Sequence, residues 1–314
     1  MFDSISITIA TVQCLIAITS IAGNLLVCAV ETRRDMRTPF NYLLLNLAVV
    51  DIVYPTFLFT CFVYHYSLNN PDAMPGNAIC LSLGTLAGTG AICSVFTLIA
   101  IARERYWAVV RPLSIQRKLT WRQLKVIIPG TWILAVVLNS SGFVIQSFGR
   151  EIAVRSCNLF WDDKKLQKAY YLIYTTFVGI SSLLLNGYYS IVVYTLWFKC
   201  DDQEERPYQR QGVLKVRKRV TLMVLSVTTL FEITWISNYV IHVLKVFGLC
   251  TVSDVAVSIA YSLLAFNSAV NPFAYALINQ RFRERMKGML CNSSRATERN
   301  IKAEHPQIIR LQHY

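Results

Sequence analysis

Charge is what this chain has least of. Only 16% of its 314 residues are Asp, Glu, Lys or Arg, where a soluble domain carries about 25%. Beside 54% hydrophobic residues, that scarcity excludes a disordered chain and a water-soluble dinucleotide-binding enzyme. Acids are fewer than bases, 18 against 31, so the formal net charge is +13. Histidines number four, at 65, 242, 305 and 313, and they are scattered. The sequence shows no metal-ligand cluster, phosphate loop or Ser/His/Asp arrangement, so no enzyme is expected. No internal repeat and no low-complexity tract is found.

What the chain does have is long runs without charge. Residues 4–30, 73–102, 126–149, 169–198 and 255–280 hold no charged residue. Residues 38–64 hold one, Asp51, and residues 220–244 hold Glu232 and one histidine, His242. Each run meets the roughly 20 apolar residues that cross a bilayer core of about 30 Å. Barrel strands would alternate polar and apolar over about 10 residues, and these runs do not. The expectation is an all-α membrane protein with seven spans. The first run is too long for a cleavable signal and lacks a basic leader, so it reads as a signal anchor.

The +13 is a matter of sidedness. Of 31 Lys and Arg, 25 fall at the end of the third span, in the segments after spans 1, 3 and 5, and in the tail. The other segments hold six: Arg150, Arg155, Lys164, Lys165, Lys168 and Lys245. Basic segments stay cytoplasmic, so the N-terminus is expected outside and the tail inside. The charge is then explained by membrane orientation. Anionic membrane lipid is the expected partner of the inner face, and nucleic acid is not.

Some polar residues stand where hydrocarbon is expected. An ionisable group at mid-membrane costs roughly 2.5–3.5 kcal/mol, so it calls for a partner or a purpose. Asp51 lies in Leu47-Ala48-Val49-Val50-Asp51, an otherwise apolar stretch. Its candidate partners are Asn24, Ser94, Asn267, Ser268 and Asn271. Such a set suits a small hard cation, and equally an interhelical hydrogen-bond network. Arg103-Glu104-Arg105-Tyr106 closes the third span, where snorkelling anchors also belong. Cys80 lies 25 residues before Arg105, about 37 Å along a helix, and so on the outer side. Cys157 follows span 4 on that side, and a Cys80–Cys157 disulfide is the simplest pairing in an oxidising exterior. Cys250 is then outer and unpaired. Asn271-Pro272-Phe273-Ala274-Tyr275 interrupts span 7 with a proline.

Taken in order, these residues resemble a rhodopsin-like (class A) G protein-coupled receptor. The resemblance rests on Gly23-Asn24, Leu47 to Asp51, Cys80, Glu104-Arg105-Tyr106, Trp132, Phe231 with Trp235, and Asn271 to Tyr275, and covers residues 5–290. It implies a seven-transmembrane helix bundle over residues 7–279 and a short amphipathic eighth helix over residues 280–291. It also implies an extracellular N-terminus at residues 1–6 and a disordered cytoplasmic tail at residues 292–314. The location implied is the plasma membrane, and the partner a heterotrimeric G protein.

The resemblance also assigns roles. Arg105 looks like the arginine that engages the G protein, with Glu104 holding it at rest and Tyr106 completing the triplet. Pro112 and Leu113 match a second-loop contact. Tyr194 and Tyr275 match tyrosines that move inward on activation, and Trp235 matches a switch beneath the ligand. Asp51, Ser94, Trp235, Asn267, Ser268 and Asn271 match an allosteric sodium pocket; no other cofactor is implied. Phe282, Met286 and Met289 repeat at helical spacing, and Cys291 is a candidate lipidation site.

Departures from the pattern are specific. Asn186, eight residues before Tyr194, stands where span 5 usually has proline, so the packing switch reads Asn186, Val95 and Phe231. Ser237 stands where span 6 usually has proline. Arg217 replaces an acid that pairs with the span 3 arginine in many relatives. Glu232 is an unusual intramembrane acid, read either as hydrogen-bonded glue or as part of a cation pocket or pH response.

Two absences narrow the ligand. Ala265 stands at the retinal lysine position of opsins, and Ala87 at the aspartate position of amine receptors. No glycosylation sequon falls outside. The stretch from Ala102 to Leu113 most resembles neuropeptide receptors. The expected ligand is therefore a short peptide, in a pocket of Phe62, Ala87, Ala91, Trp235, Asn238, Tyr239, His242 and Tyr261. A lipid or other non-amine small molecule is the alternative ligand, and a non-signalling receptor-like partner the alternative role.

Overall fold

A computed structural model describes residues 4–33, 37–67, 74–111, 119–147, 164–199, 208–278, 280 and 282–289. These residues form α1 (Ser4–Glu31), α2 (Pro39–Ser67), α3 (Met74–Val110), α4 (Trp121–Ser147), α5 (Lys164–Tyr194), α6 (Tyr208–Phe247) and α7 (Asp254–Ile278). A π-helical turn, Thr195–Lys199, continues α5. A short helix, α8, covers residues 282–289. Among the described residues, seven helices are long and apolar enough to cross a membrane. They coincide with the seven charge-poor runs.

The helix ends are written locally. Thr38 accepts the Asn41 amide at 3.2 Å ahead of Pro39, a capping residue followed by the proline that best fits a first helical position. Thr120 and Gln123 bond reciprocally, Gln123 N–H to Thr120 Oγ1 at 3.3 Å and Thr120 N–H to Gln123 Oε1 at 3.1 Å. That capping box starts α4. Ser253 accepts the Ala256 amide at 3.2 Å and starts α7. Gly248, at φ 67°, ends α6, with Leu249 N–H on Leu244 C=O at 3.1 Å. The left-handed turn suits glycine because no Cβ clashes there.

α6 departs from the expected loop. The charged stretch 201–219 reads as an inner loop, yet the helix already begins at Tyr208. Hydropathy finds the part of a helix that lies in lipid. The turns beyond it hold Lys, Arg, Gln and Leu, which are good helix formers in water.

α3 packs against α2, α4, α5 and α6, while α1 packs on α2 and α7. The interior holds Leu43, Leu47, Leu98, Ile101, Leu185 and Met223, each nearly fully buried. Large aliphatic side chains also point outward: Leu183 is 76% exposed and Leu277 74%. In water such exposure would be costly; in a membrane it faces acyl chains, and packing must come from close contact and buried polar bonds. Gly23 supplies one close approach between helices. A Cβ there would lie 2.7 Å from Pro272 Cγ, so only glycine lets α1 meet α7. Asn46 supplies the polar tie. Its amide donates to Thr97 Oγ1 at 2.9 Å and accepts from Trp132 Nε1 at 3.0 Å, joining α2, α3 and α4.

Candidate functional site

Three polar or aromatic levels run along the bundle. The uppermost, away from Arg105, is aromatic. His242 Nδ1 pairs with the Asn238 carbonyl at 2.9 Å, and its Nε2 with the Tyr261 hydroxyl at 2.9 Å. With the neutral ring donating through Nδ1, Nε2 accepts the phenol proton. Tyr171 stacks on His242 at 6.0 Å and Tyr174 on Trp235 at 6.1 Å. Tyr54 reaches the Tyr261 carbonyl at 3.4 Å. Trp235, Asn238 and Ala87 are buried, and Ala91, Tyr239, His242 and Tyr261 half-buried. The side chain of Phe62 lies outside the described residues. Tyr54, Tyr171 and Tyr174 were not foreseen. Tyrosine-rich 170–174 was the available signal, but it sits in a charge-free run where an aromatic reads as lipid-facing.

The middle level surrounds Asp51, which is 1% exposed. Asn271 Nδ2 donates to Asp51 Oδ2 at 2.6 Å. Asn24 Nδ2 donates to the Ser268 carbonyl at 3.0 Å, tying α1 to α7. Ser94 donates to the Gly90 carbonyl at 3.4 Å. Ser94 and Asn267 are buried like Asp51. The amide oxygens of Asn24, Asn267 and Asn271 are buried without hydrogen-bond partners. Unpaired buried acceptors are expensive. Together with a carboxylate they fit a hard cation that takes oxygen ligands.

The lowest level holds Arg105. Its guanidinium carbon lies 3.7 Å from the Phe40 ring centroid, and its Nε is buried without a hydrogen-bond partner. Glu104 accepts the Leu119 amide at 3.1 Å. Tyr106 packs on Trp107 and Tyr188, at 5.2 and 5.7 Å. Arg217 acts on Arg105 as a like charge, not as a pairing acid. The inner end of α6 is tied elsewhere, by Arg219 Nη1 on Gln280 Oε1 at 2.7 Å. Tyr275 is 2% exposed, packs on Phe282 at 6.3 Å, and has a buried hydroxyl without a partner. Arg283 caps α7 through the Ala276 and Leu277 carbonyls.

Two residues of α5 that the sequence singled out face outward. Tyr194, matched to a tyrosine that moves inward on activation, is 61% exposed and stacks on Phe198 at 5.9 Å. The tyrosine near Arg105 is Tyr189, 4% exposed, whose hydroxyl accepts Thr228 Oγ1 at 3.4 Å. Five residues turn a helix by about 500°, so the two tyrosines lie on different faces. Counting eight residues back from Tyr189 gives Ser181, which is buried, where Asn186 is exposed. Val95 and Phe231 are buried as expected, and Phe231 packs on Trp235 at 5.3 Å. Asn186 instead bonds Glu232. Pro112, Leu113, Cys157, Cys291 and the side chain of Cys80 lie outside the described residues.

Comparison with known proteins agrees with this arrangement. The family model "7 transmembrane receptor (rhodopsin family)" matches residues 23–275. Neuropeptide FF receptor 1 of Rattus norvegicus is 28% identical over 93% of this chain and 73% of its own length. Somatostatin receptor type 4 of Rattus norvegicus is 28% identical over 91% and 73%. Tachykinin-like peptides receptor 86C of Drosophila melanogaster is 28% identical over 87% of this chain, which spans 56% of that receptor's length. Squid rhodopsin, at 18% identity, superimposes with a TM-score of 0.76 over 92% of this chain and 86% of its own, a likeness of fold alone. A family match over most of the chain, on seven helices arranged as in rhodopsin, makes this a multi-pass membrane protein of a receptor family without enzymatic activity: it belongs to the rhodopsin-like (class A) G protein-coupled receptors.

Proposed function

We propose that this receptor sits in the plasma membrane with its N-terminus outside, binds a short extracellular peptide, and activates a heterotrimeric G protein. The observation that carries this reading is the placement of α6. Trp235 forms the floor of the aromatic level, and the same unbroken helix carries Arg217 within electrostatic reach of Arg105. A ligand pressing on Trp235 therefore acts on the helix that borders Arg105. An agonist works only through its differential affinity for the two states.

The pocket chemistry supports a peptide. Tyr171, Tyr174, Tyr261 and His242 offer flat apolar faces with hydroxyl and imidazole edges, suited to side chains and backbone amides. Neuropeptide FF, somatostatin and tachykinin-like peptides appear in the names of the relatives. Arg105, Glu104 and Tyr106, with Pro112 and Leu113, form the G protein face. Within α5 the role first given to Tyr194 passes to Tyr189, opposite Tyr275. Asp51, Ser94, Asn267, Ser268 and Asn271 would hold sodium, whose charge offsets the buried carboxylate and favours the resting packing. Cys80 and Cys157 form the outer disulfide, and Cys291 anchors the tail through a lipid.

One observation favours a lipid ligand instead. An apolar groove of about 630 Å³ opens on the outside of the bundle between α1 and α7, lined by Ile5, Val12, Ile16, Ile259 and Phe266. The deciding experiment is G protein dissociation in cells with confirmed surface expression, before and after pooled short amidated peptides, with Arg105→Ala as control. A peptide-dependent signal absent from the control supports the reading. Response to a lipid with silence to peptides selects the second. Silence to both at good expression favours a non-signalling partner.

A further inference from the structure

Among the buried or bonded intramembrane polar groups, one cluster lies at the lipid-facing seam of the bundle. Asn186 Nδ2 donates to Glu232 Oε1 at 3.1 Å and to Oε2 at 3.0 Å. The Ser182 hydroxyl donates to Glu232 Oε1 at 3.4 Å. Ser182 and Asn186 are one turn apart on α5, and Asn186 Nδ2 also reaches the Ser182 carbonyl at 3.0 Å. Asn186 is exposed on α5, while Glu232 and Ser182 are half-buried. Neither the sodium level nor the Arg105 level includes these three residues.

Their place on α6 matters more than their number. Phe231, Glu232 and Trp235 share one turn. Phe231 and Trp235 are buried inside the bundle, and Glu232 faces α5. Any rotation of α6 that re-seats Trp235 must carry Glu232 away from Ser182 and Asn186. The helix is also continuous. It runs 40 residues without proline. Ser237, at the usual proline position, keeps its hydroxyl on the Ile233 carbonyl at 2.8 Å. From Glu232 the helix extends about 36 Å to Tyr208 and about 22 Å to Phe247, at 1.5 Å per residue. A contact at Glu232 thus sits nearer the ligand end of a stiff rod, and a small release there becomes a larger displacement at the inner end. In hydrocarbon no water replaces the lost bonds. Their rupture weighs against any arrangement that separates the two helices.

We propose that Ser182, Asn186 and Glu232 form an intramembrane clasp that holds α6 against α5 at rest and sets the receptor's ligand-independent activity. This rests on the reading that movement of α6 is the receptor's switch. The clasp residues are positioning residues: they touch neither ligand nor G protein.

The inner ends of α5 and α6 provide a readout that needs neither partner. Lys218 Nζ lies 5.6 Å from the Trp197 ring centroid. Bimane on Lys218→Cys, in a receptor with Cys200, Cys250 and Cys291 replaced by serine and reconstituted in lipid nanodiscs, is quenched by Trp197, with Trp197→Phe as the unquenched control. Glu232→Leu and Asn186→Leu are expected to relieve quenching. In cells the same variants raise ligand-independent G protein activation about three- to tenfold, the scale of one ordinary hydrogen bond lost in a two-state balance. The exchanged pair Asn186→Glu with Glu232→Asn restores both signals toward wild type, which a merely structural loss would not allow. If the leucine variants fail to reach the surface, Asn186→Ala at an exposed helical position replaces them. Unchanged quenching in the variants, or an exchanged pair as bright as the single leucines, overturns the clasp. Relief of quenching without any signal through Arg105 upholds the clasp and removes the G protein reading. An Arg105-dependent basal signal that the variants leave unaltered removes the clasp and keeps the receptor reading.

Discussion

The carboxylate of Asp51 accepts a hydrogen bond of 2.6 Å from Asn271, 220 residues later in the chain. This bond joins α2 to α7, and the unpaired amide oxygens of Asn267 and Asn271 on α7 and of Asn24 on the adjoining α1 are buried as well. If these oxygens receive sodium, the cation must stabilise the folded receptor. Purified receptor in sodium chloride is expected to melt several degrees above receptor in choline chloride, since a ligand bound only by the native state raises stability by mass action. Asp51→Asn is expected to abolish that difference. A sodium dependence that survives the substitution would remove the assignment.

The two tyrosines of α5 give a clean contrast. Tyr189→Phe removes the hydroxyl that Thr228 bonds near Arg105 and is expected to cut G protein activation about tenfold, with surface expression kept. Tyr194→Phe alters an exposed ring and is expected to change nothing. The reverse ranking in a dose-response assay would reinstate the original spacing argument.

Asn46 serves Thr97 and Trp132 at once. Asn46→Ala leaves the Trp132 indole N–H without its acceptor, removes one of the two bonds of the Thr97 hydroxyl, which keeps the Cys93 carbonyl, and opens a gap; it is expected to cost about 2–4 kcal/mol. Trp132→Phe loses one bond and should cost less. Melting of the two variants in detergent measures the order, and equal loss would contradict the shared role of the amide.

Close approach to the rigid ring of Pro272 makes Gly23 hard to replace. Gly23→Leu drives a side chain into Pro272, whose Cγ is already 2.7 Å from an added Cβ. The expected cost is about 1–3 kcal/mol or more, seen as reduced surface expression. Gly187→Leu has nothing within 4 Å to meet and should express normally.

Cysteine chemistry checks the outer face. Non-reducing peptide mapping is expected to join Cys80 to Cys157 and to find Cys250, exposed and free, alkylated by an added reagent. A bridge that includes Cys250 would change the pairing.

Much of the fold was legible because lipid imposes a simple rule. A span must be apolar for its whole length, so seven charge-poor runs marked seven helices. They did not mark where α6 begins, because its watery turns at Tyr208 obey helix propensity and not hydropathy. The middle level was legible too. Asp51, Asn24 and Asn271 are polar where polarity is costly, and they do converge. Facing was less legible. Tyr189 and Tyr194 both lie in one apolar run, and a helix surrounded by lipid carries little amphipathic signal to separate inside from outside.

The sequence by itself determined the spans, the distribution of basic charge at their ends, the caps at Thr38, Thr120 and Ser253, and the polar residues that needed partners. These depend on chain-local chemistry and on the solvent. Only the tertiary structure decided that Asn46 would join Thr97 to Trp132, that Tyr189 would be the tyrosine beside Arg105, and that Asn186 would grip Glu232 across the α5–α6 seam. Such pairings depend on the rotation of each helix about its own axis. That angle is set by close packing between neighbours, as where Gly23 meets Pro272, and no single helix carries it.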